Sequence, residues 1–457
     1  MIAAVAIFAI IALMPTPSGL TYQGQLAIAI IAFGLILWIA KPVNLVVSSL
    51  IVMGLLAALK VVDTHTALSG FSASSTWLIA GGLILGMAIS KVELDKKIIR
   101  YVLVHTGVKG PFGAMMAVFL MNLIFAFFIP STTARTAILL PISVMLIRVL
   151  GIPSESKFAQ AILLETAFLP SSIGSGLLTG SAMNPLGAGL ITEVTGHTVT
   201  YFEWMSLGMP FALIISIFIV IYLRLTFKGG LDQEIGKDFF NIMLEKKPWT
   251  PEQKRVTVIF IFTIILWATD FIHGISVTIV CLISAALLLF PGIGVLKWET
   301  DSKQMNWGII FLLAATMSAA TALIKTHAID WIAMQIIPFV KQINSPLGIL
   351  LFFYTFSIIL NKFINNNMAT TALMIPLTYS TVMDLGLNPM PFLWAVAISA
   401  NISFITPIET LPNLLVYERG CLKFRTMAIH GTIITIVSIL VIMAVVLLYW
   451  PIFGLYV

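Results

Sequence analysis

Pro130-Ser131-Thr132-Thr133-Ala134-Arg135-Thr136 is a short polar island between two apolar runs, 118–129 and 137–147. Backbone that leaves the helical conformation at membrane depth persists only where protein buries it or a cavity solvates it, so such an island predicts a binding site. A helix starting at Ser131 or Thr132 turns its positive dipole end toward Arg135, and the guanidinium then calls for an anion. A substrate can be that anion.

Composition sets the class around this island. Of 457 residues 59% are hydrophobic and 10% charged, which excludes a soluble globule and predicts an all-α polytopic membrane protein. The net charge of +6 comes from Lys and Arg gathered in loops rather than along one stripe, so nucleic acid is not an expected partner. Cys281 and Cys421 are too few and too far apart for a disulfide framework or metal site. The apolar start, 1–14, lacks a basic n-region and a small-residue cleavage site, so it reads as a retained span rather than a signal peptide.

Further spans are expected at 26–40, 43–59, 75–90 and 204–225, with an amphipathic stretch, 91–100, along the cytoplasmic interface. The apolar segment 110–152 is divided at Pro130 into two arms, each just long enough to reach mid-membrane and return, so it reads as a re-entrant hairpin. The helix 158–169 is expected to be cut at Pro170, because 170–185 holds too much Gly, Ser and Pro to stay helical. Its hydroxyls and free carbonyls suit a hard cation or a carboxylate.

The second half repeats the first. Spans at 256–272, 275–290 and 307–323 precede an amphipathic stretch, 327–341, and a second divided segment, 347–383. Aligning Pro141 with Pro376 sets Ser131-Thr132-Thr133-Ala134 against Asn366-Asn367-Met368-Ala369, and Ser181-Ala182-Met183-Asn184 falls opposite Thr410-Leu411-Pro412-Asn413. Counting spans gives eleven plus two hairpins, with the first tip cytoplasmic and the second outside, so the repeat is inverted, as in secondary transporters. The chain then divides into scaffold spans 1–75, a first repeat 76–227 with its tip near 130–134 and broken helix at 170–185, and a cytoplasmic loop 228–255. Second scaffold spans, 256–304, lead to a second repeat, 305–457, with its tip near 365–369 and broken helix at 403–413.

The tips, the breaks at 173–184 and Thr406-Pro407-Ile408-Glu409-Thr410-Leu411-Pro412-Asn413, and the span count together resemble the divalent anion:sodium symporter (DASS) family over nearly the whole chain. The resemblance implies a dimeric scaffold, a hairpin-bearing domain that moves as an elevator, and Ser-Asn-Thr tips that bind substrate carboxylate and help hold sodium. Ser131 and Asn367 match that pattern, whereas Thr132, Asn366 and Met368 depart from it. Pro-Ser-Thr-Thr-Ala-Arg instead is similar to the plastid dicarboxylate translocators and bacterial citrate/succinate antiporters of the same superfamily, which are exchangers.

The implied function is transport of C4/C5 dicarboxylates or citrate by sodium-independent exchange, with sodium-coupled symport as the alternative. The setting is a bacterial inner membrane or, alternatively, a plastid inner envelope. Expected partners are a dicarboxylate or tricarboxylate anion, membrane lipid and a second copy of the chain; no cofactor is expected, and sodium is doubtful. Substrate contacts are expected from Ser131, Thr132, Thr133, Arg135, Asn366 and Asn367 at the tips, and from Ser175, Thr179, Thr406, Pro407 and Thr410 in the breaks. Glu165, Glu409 and Lys362 are candidates for cation binding or charge balance. Each has a plainer reading: either carboxylate can pair with Arg135 or another nearby cation, and Lys362 can snorkel to the interface rather than fill a vacated sodium site. An embedded enzyme is disfavoured, since the chain lacks HExxH, Gly-x-Ser-x-Gly and Walker motifs.

Overall fold

The computed structural model describes residues 2–40, 42–106, 108–150, 152–153, 156–227, 234–235, 247–364 and 366–457. Asn365 at the second tip and most of the expected loop 228–255 lie outside these residues. Among the described residues the regular structure is helical, apart from one two-residue antiparallel pairing of Val108–Lys109 with Glu234–Ile235.

Among the described residues seven helices are each long and apolar enough to cross a membrane. Three of the seven are hairpin arms, Gly110–Phe128, Thr132–Val149 and Pro346–Ile364. Other expected crossings fall on shorter apolar helices such as Ile2–Leu13, Leu45–Ala58 and Val277–Leu289. The first hairpin's arms have 19 and 18 residues, about 28 Å each at about 1.5 Å per residue. That corrects the half-membrane arm length expected above. What marks each pair as a hairpin is that its arms pack together and its turn ends at one shared cavity.

The break in the first repeat also starts later than expected. Helix Lys157–Gly174 carries Pro170 inside it, and the chain leaves the helix only at Ser175. A proline removes one backbone donor, and in a buried helix neighbouring groups can take up the freed acceptors. Pro141 and Pro376 sit inside helices at matching places in the two repeats. In the second repeat the break opens earlier, between Met390–Ser399 and the short helix Leu411–Tyr417. The expected interfacial stretch is helix Leu94–Thr106, bent by 67° from Ser74–Lys91, which turns it away from the span direction.

Packing sorts the helices into two sets. Tyr22–Ala40 packs on Ile2–Leu13, Leu45–Ala58 on Trp307–Lys325, and Val277–Leu289 on both Ser74–Lys91 and Pro251–Ala268. The second set contains both hairpins, both broken helices, Tyr201–Thr226 and Phe424–Leu448. Trp307–Lys325 and Ser74–Lys91 thus pack chiefly with the first set, although sequence order groups them with the repeats.

One ion pair ties the first set together outside the apolar spans. Lys91 Nζ lies 2.5 Å from Asp301 Oδ2, and the Lys297 amide donates to the same oxygen at 2.6 Å. The Lys91 ammonium and the Lys297 amide hold the Asp301 carboxyl below its ordinary range. A depressed folded-state value adds stability above the unfolded value of about 3.9, and that stability is lost as pH falls through the folded value. The Asp301→Asn variant is therefore expected to melt below wild type at neutral pH, with the gap closing below about pH 4. Thermal unfolding in detergent at both pH values checks this, and a gap independent of pH contradicts it.

Candidate functional site

The two hairpin tips are built alike. Ser131 is the extended N-cap of Thr132–Val149, and its Oγ accepts the Ala134 amide at 3.2 Å. Asn366 is the extended N-cap of Asn367–Asp384, and its Oδ1 accepts the Ala369 amide at 3.2 Å. Residues paired by the repeat alignment therefore do the same work. Each cap satisfies one first-turn amide, and the remaining first-turn N–H groups have no partner inside the helix. Both tips line one cavity of about 240 Å³. Partial positive charge from two helix N-termini thus meets in one space.

The two breaks also follow one plan. Asn184 Nδ2 donates to the Gly174 and Leu177 carbonyls, 10 and 7 residues earlier, at 2.8 and 2.7 Å. Asn413 Nδ2 donates to the Ser403 and Thr406 carbonyls, also 10 and 7 residues earlier, at 3.0 Å each. In the first break the chain nearly touches itself: a Cβ on Gly180 would lie 2.5 Å from the Gly174 oxygen, so neither position accepts a side chain without movement.

Each break also holds a cation. Arg135 is fully buried, and its Nη2 donates to the Pro170 carbonyl at 2.9 Å and to the Gly180 carbonyl. Its Nε and Nη1 have no hydrogen-bond partner, and no ion pair reaches it among the described residues. Lys362 Nζ bonds Glu409 Oε2 at 2.8 Å and the Ile402 carbonyl at 3.4 Å. Glu409 also accepts the Ile405 and Thr406 amides at 3.2 and 3.0 Å. The plainer reading, in which Arg135 pairs with Glu165 or Glu409, thus gives way to carbonyl contacts. Glu409 belongs to Lys362, and Glu165 is buried with both oxygens unpartnered. The snorkelling alternative for Lys362 gives way to this inward pair because a buried carboxylate offers its ammonium a stronger partner than the interface does.

Ser131, Thr132, Thr133, Thr179, Asn366, Asn367, Glu409 and Thr410 line the cavity. Asn367 is more constrained than a free substrate donor: its Nδ2 bonds the Ala400 carbonyl at 2.6 Å and Ser403 Oγ at 3.1 Å, while its Oδ1 accepts from Asn361. Arg135, Ser175, Thr406 and Pro407 are not among the residues that line it. Ser175 is tied into its own turn and holds Trp204 through its carbonyl at 3.0 Å. Ser171 and Ser181, from the stretch 170–185 whose hydroxyls the sequence singles out, also lie on the cavity wall; sequence reading passed over Asn401 there, and the apolar face supplied by Trp38, Leu78 and Ile309 of the other helix set. The Asn184–Asn413 correspondence was the available signal for Asn401's neighbourhood; nothing local marks the apolar wall.

Replacing Ser131 by alanine removes a cap worth about 1 kcal/mol. It is expected to raise the half-saturation concentration of transport about fivefold, with maximal rate less affected. A transport curve superimposable on wild type contradicts a role for this tip.

With this geometry in view, comparison with known proteins gives a consistent result. The sodium:sulfate symporter transmembrane region profile matches residues 1–456. A Cupriavidus necator protein described as a membrane protein is 25% identical over 98% of this chain and 91% of its own length. The Staphylococcus saprophyticus sodium-dependent dicarboxylate transporter SdcS is 24% identical over 97% of this chain and 90% of its own length. In fold the chain is similar to MtrF of Neisseria gonorrhoeae, an antimetabolite efflux pump, with TM-score 0.60 and 17% identity over 98% of each chain. A profile match along essentially the entire chain, on a structure of paired hairpins and paired broken helices, means that the protein is a membrane transporter belonging to the sodium:sulfate symporter transmembrane-region (DASS) family.

Proposed function

We propose that the protein is a secondary carrier of C4/C5 dicarboxylates such as succinate, malate, fumarate and 2-oxoglutarate, or of citrate, working by sodium-independent exchange. One observation carries the reading: each break already holds a fixed organic cation against its carbonyls, Arg135 at Pro170 and Gly180, and Lys362 at Ile402. Backbone carbonyls are ligands that a hard metal cation needs. A guanidinium and an ammonium there supply the positive charge that a co-transported ion otherwise brings. Glu409 offsets Lys362, whereas no ion pair reaches Arg135 among the described residues, so the empty carrier keeps an uncompensated buried charge. It reorients readily only when loaded with an anion, which produces exchange.

The substrate class is supported by the relatives named as dicarboxylate transporters and by two helix N-termini that can each receive a carboxylate. The set containing the hairpins and breaks moves as an elevator against the other set, which forms a homodimer in a bacterial inner membrane. Sodium-coupled symport is the competing reading, favoured by the names of the same relatives.

Proteoliposomes decide between them. Uptake of labelled succinate is expected to require dicarboxylate inside and to be unchanged when sodium is replaced by choline. Uptake into empty vesicles that collapses in choline establishes symport instead.

A further inference from the structure

Each hairpin tip is docked on its own break. Arg135 fastens the first tip to the Pro170 and Gly180 carbonyls, and Asn367 fastens the second to the Ala400 carbonyl and Ser403. Asn184 and Asn413 then tie each break internally. Among the described residues one side-chain hydrogen bond joins the two breaks: Asn401 Nδ2 donates to Asn184 Oδ1 at 2.8 Å, across 217 residues of sequence. Both amides are buried, at 2% and 0% exposure.

We infer that the Asn184–Asn401 amide pair sets the spacing between the two half-sites, and through it the length of diacid that the carrier accepts. The inference rests on the dicarboxylate reading above. The pair admits only one arrangement. Both Asn184 amide hydrogens are spent on the Gly174 and Leu177 carbonyls, so Oδ1 must face Asn401, and Asn401 must answer with its NH₂ group. A flipped Asn401 would set oxygen against oxygen in a buried place, which costs more than the bond gains. The path from tip to break, through the amide pair, to the other break and tip is therefore continuous and hydrogen-bonded. The separation of the two carboxylate-receiving helix ends belongs to this path rather than to flexible loops. Each methylene in an unbranched diacid lengthens the span between its carboxylates, so a fixed separation favours one length.

Asn401 is here a positioning residue, and its test reads selectivity rather than activity alone. Full-length protein in proteoliposomes is assayed for labelled succinate uptake against competing unbranched diacids from malonate to adipate. Wild type is expected to show a clear optimum along this ladder. Asn401→Ala should flatten it, lowering the ratio between best and worst competitor by about fivefold, as the loss of one buried hydrogen bond implies. Asn401→Gln keeps the amide on a longer stem and should move the optimum toward longer diacids, which serves as the second reading if the alanine variant is poorly folded. Asn413→Ala removes an equivalent buried amide that ties only the second break, and should weaken the whole ladder evenly. An optimum left in place by both Asn401 variants overturns the spacing role. A wild-type protein that takes up no labelled succinate overturns the dicarboxylate reading itself.

Discussion

The Arg135→Gln variant is expected to lose about ten- to hundredfold in exchange rate at low substrate, corresponding to about 1.5–3 kcal/mol for hydrogen bonds made by a charged donor. Wild-type Nη2 bridges the Pro170 and Gly180 carbonyls from the two sides of the first break. Glutamine is shorter and uncharged, so its NH₂ group does not reach the position from which Nη2 bridges both carbonyls. The same variant removes the uncompensated charge of the empty carrier, so net uptake into vesicles without internal substrate should rise relative to exchange. Arg135→Lys keeps the charge but loses the planar fork, and should retain obligatory exchange with weaker affinity. Counterflow and net uptake measured side by side make the test: if Arg135→Gln binds succinate normally and still exchanges one for one, the guanidinium has no part in coupling.

Breaking the second cation site should cost more in stability. The Glu409 carboxylate is 2% exposed beside Lys362, so Lys362→Met leaves a buried carboxylate with only the Ile405 and Thr406 amides. Removing one member of a buried pair typically costs about 3–5 kcal/mol. The variant is expected to melt well below wild type, and the double variant Lys362→Met/Glu409→Gln should recover most of the loss. If the ammonium stands where a metal cation otherwise sits, Lys362→Met should also gain a dependence on sodium. The Glu409 carboxylate and the Ile402 carbonyl remain to receive the ion. Thermal stability and uptake in sodium against choline measure both effects; a single variant as stable as wild type, or a sodium response equal to wild type, removes Lys362 from this role.

Both tips were visible as short polar interruptions, because a Ser, Thr or Asn that leaves the helix and caps the next one is a local event. The repeat was visible for the same reason, and Ser131 with Asn366, and Asn184 with Asn413, proved to act alike. The exact reach of helices was less visible. Pro170 marked a break that the chain delays to Ser175, since buried surroundings decide whether a helix tolerates the lost donor.

Membrane class, helical architecture, paired tips and the Asn184–Asn413 correspondence follow from composition and local pattern alone, because hydropathy, capping and proline chemistry act over a few residues. The partners of the buried polar groups do not. Arg135 meets carbonyls 35 and 45 residues away, Lys362 a carboxylate 47 away, and Asn401 an amide 217 away. Spacing along a helix identifies neighbours three or four positions apart, whereas these contacts depend on which helix faces pack together. Packing therefore chose carbonyls for Arg135 and a carboxylate for Lys362, and left four of the expected contact residues out of the cavity lining.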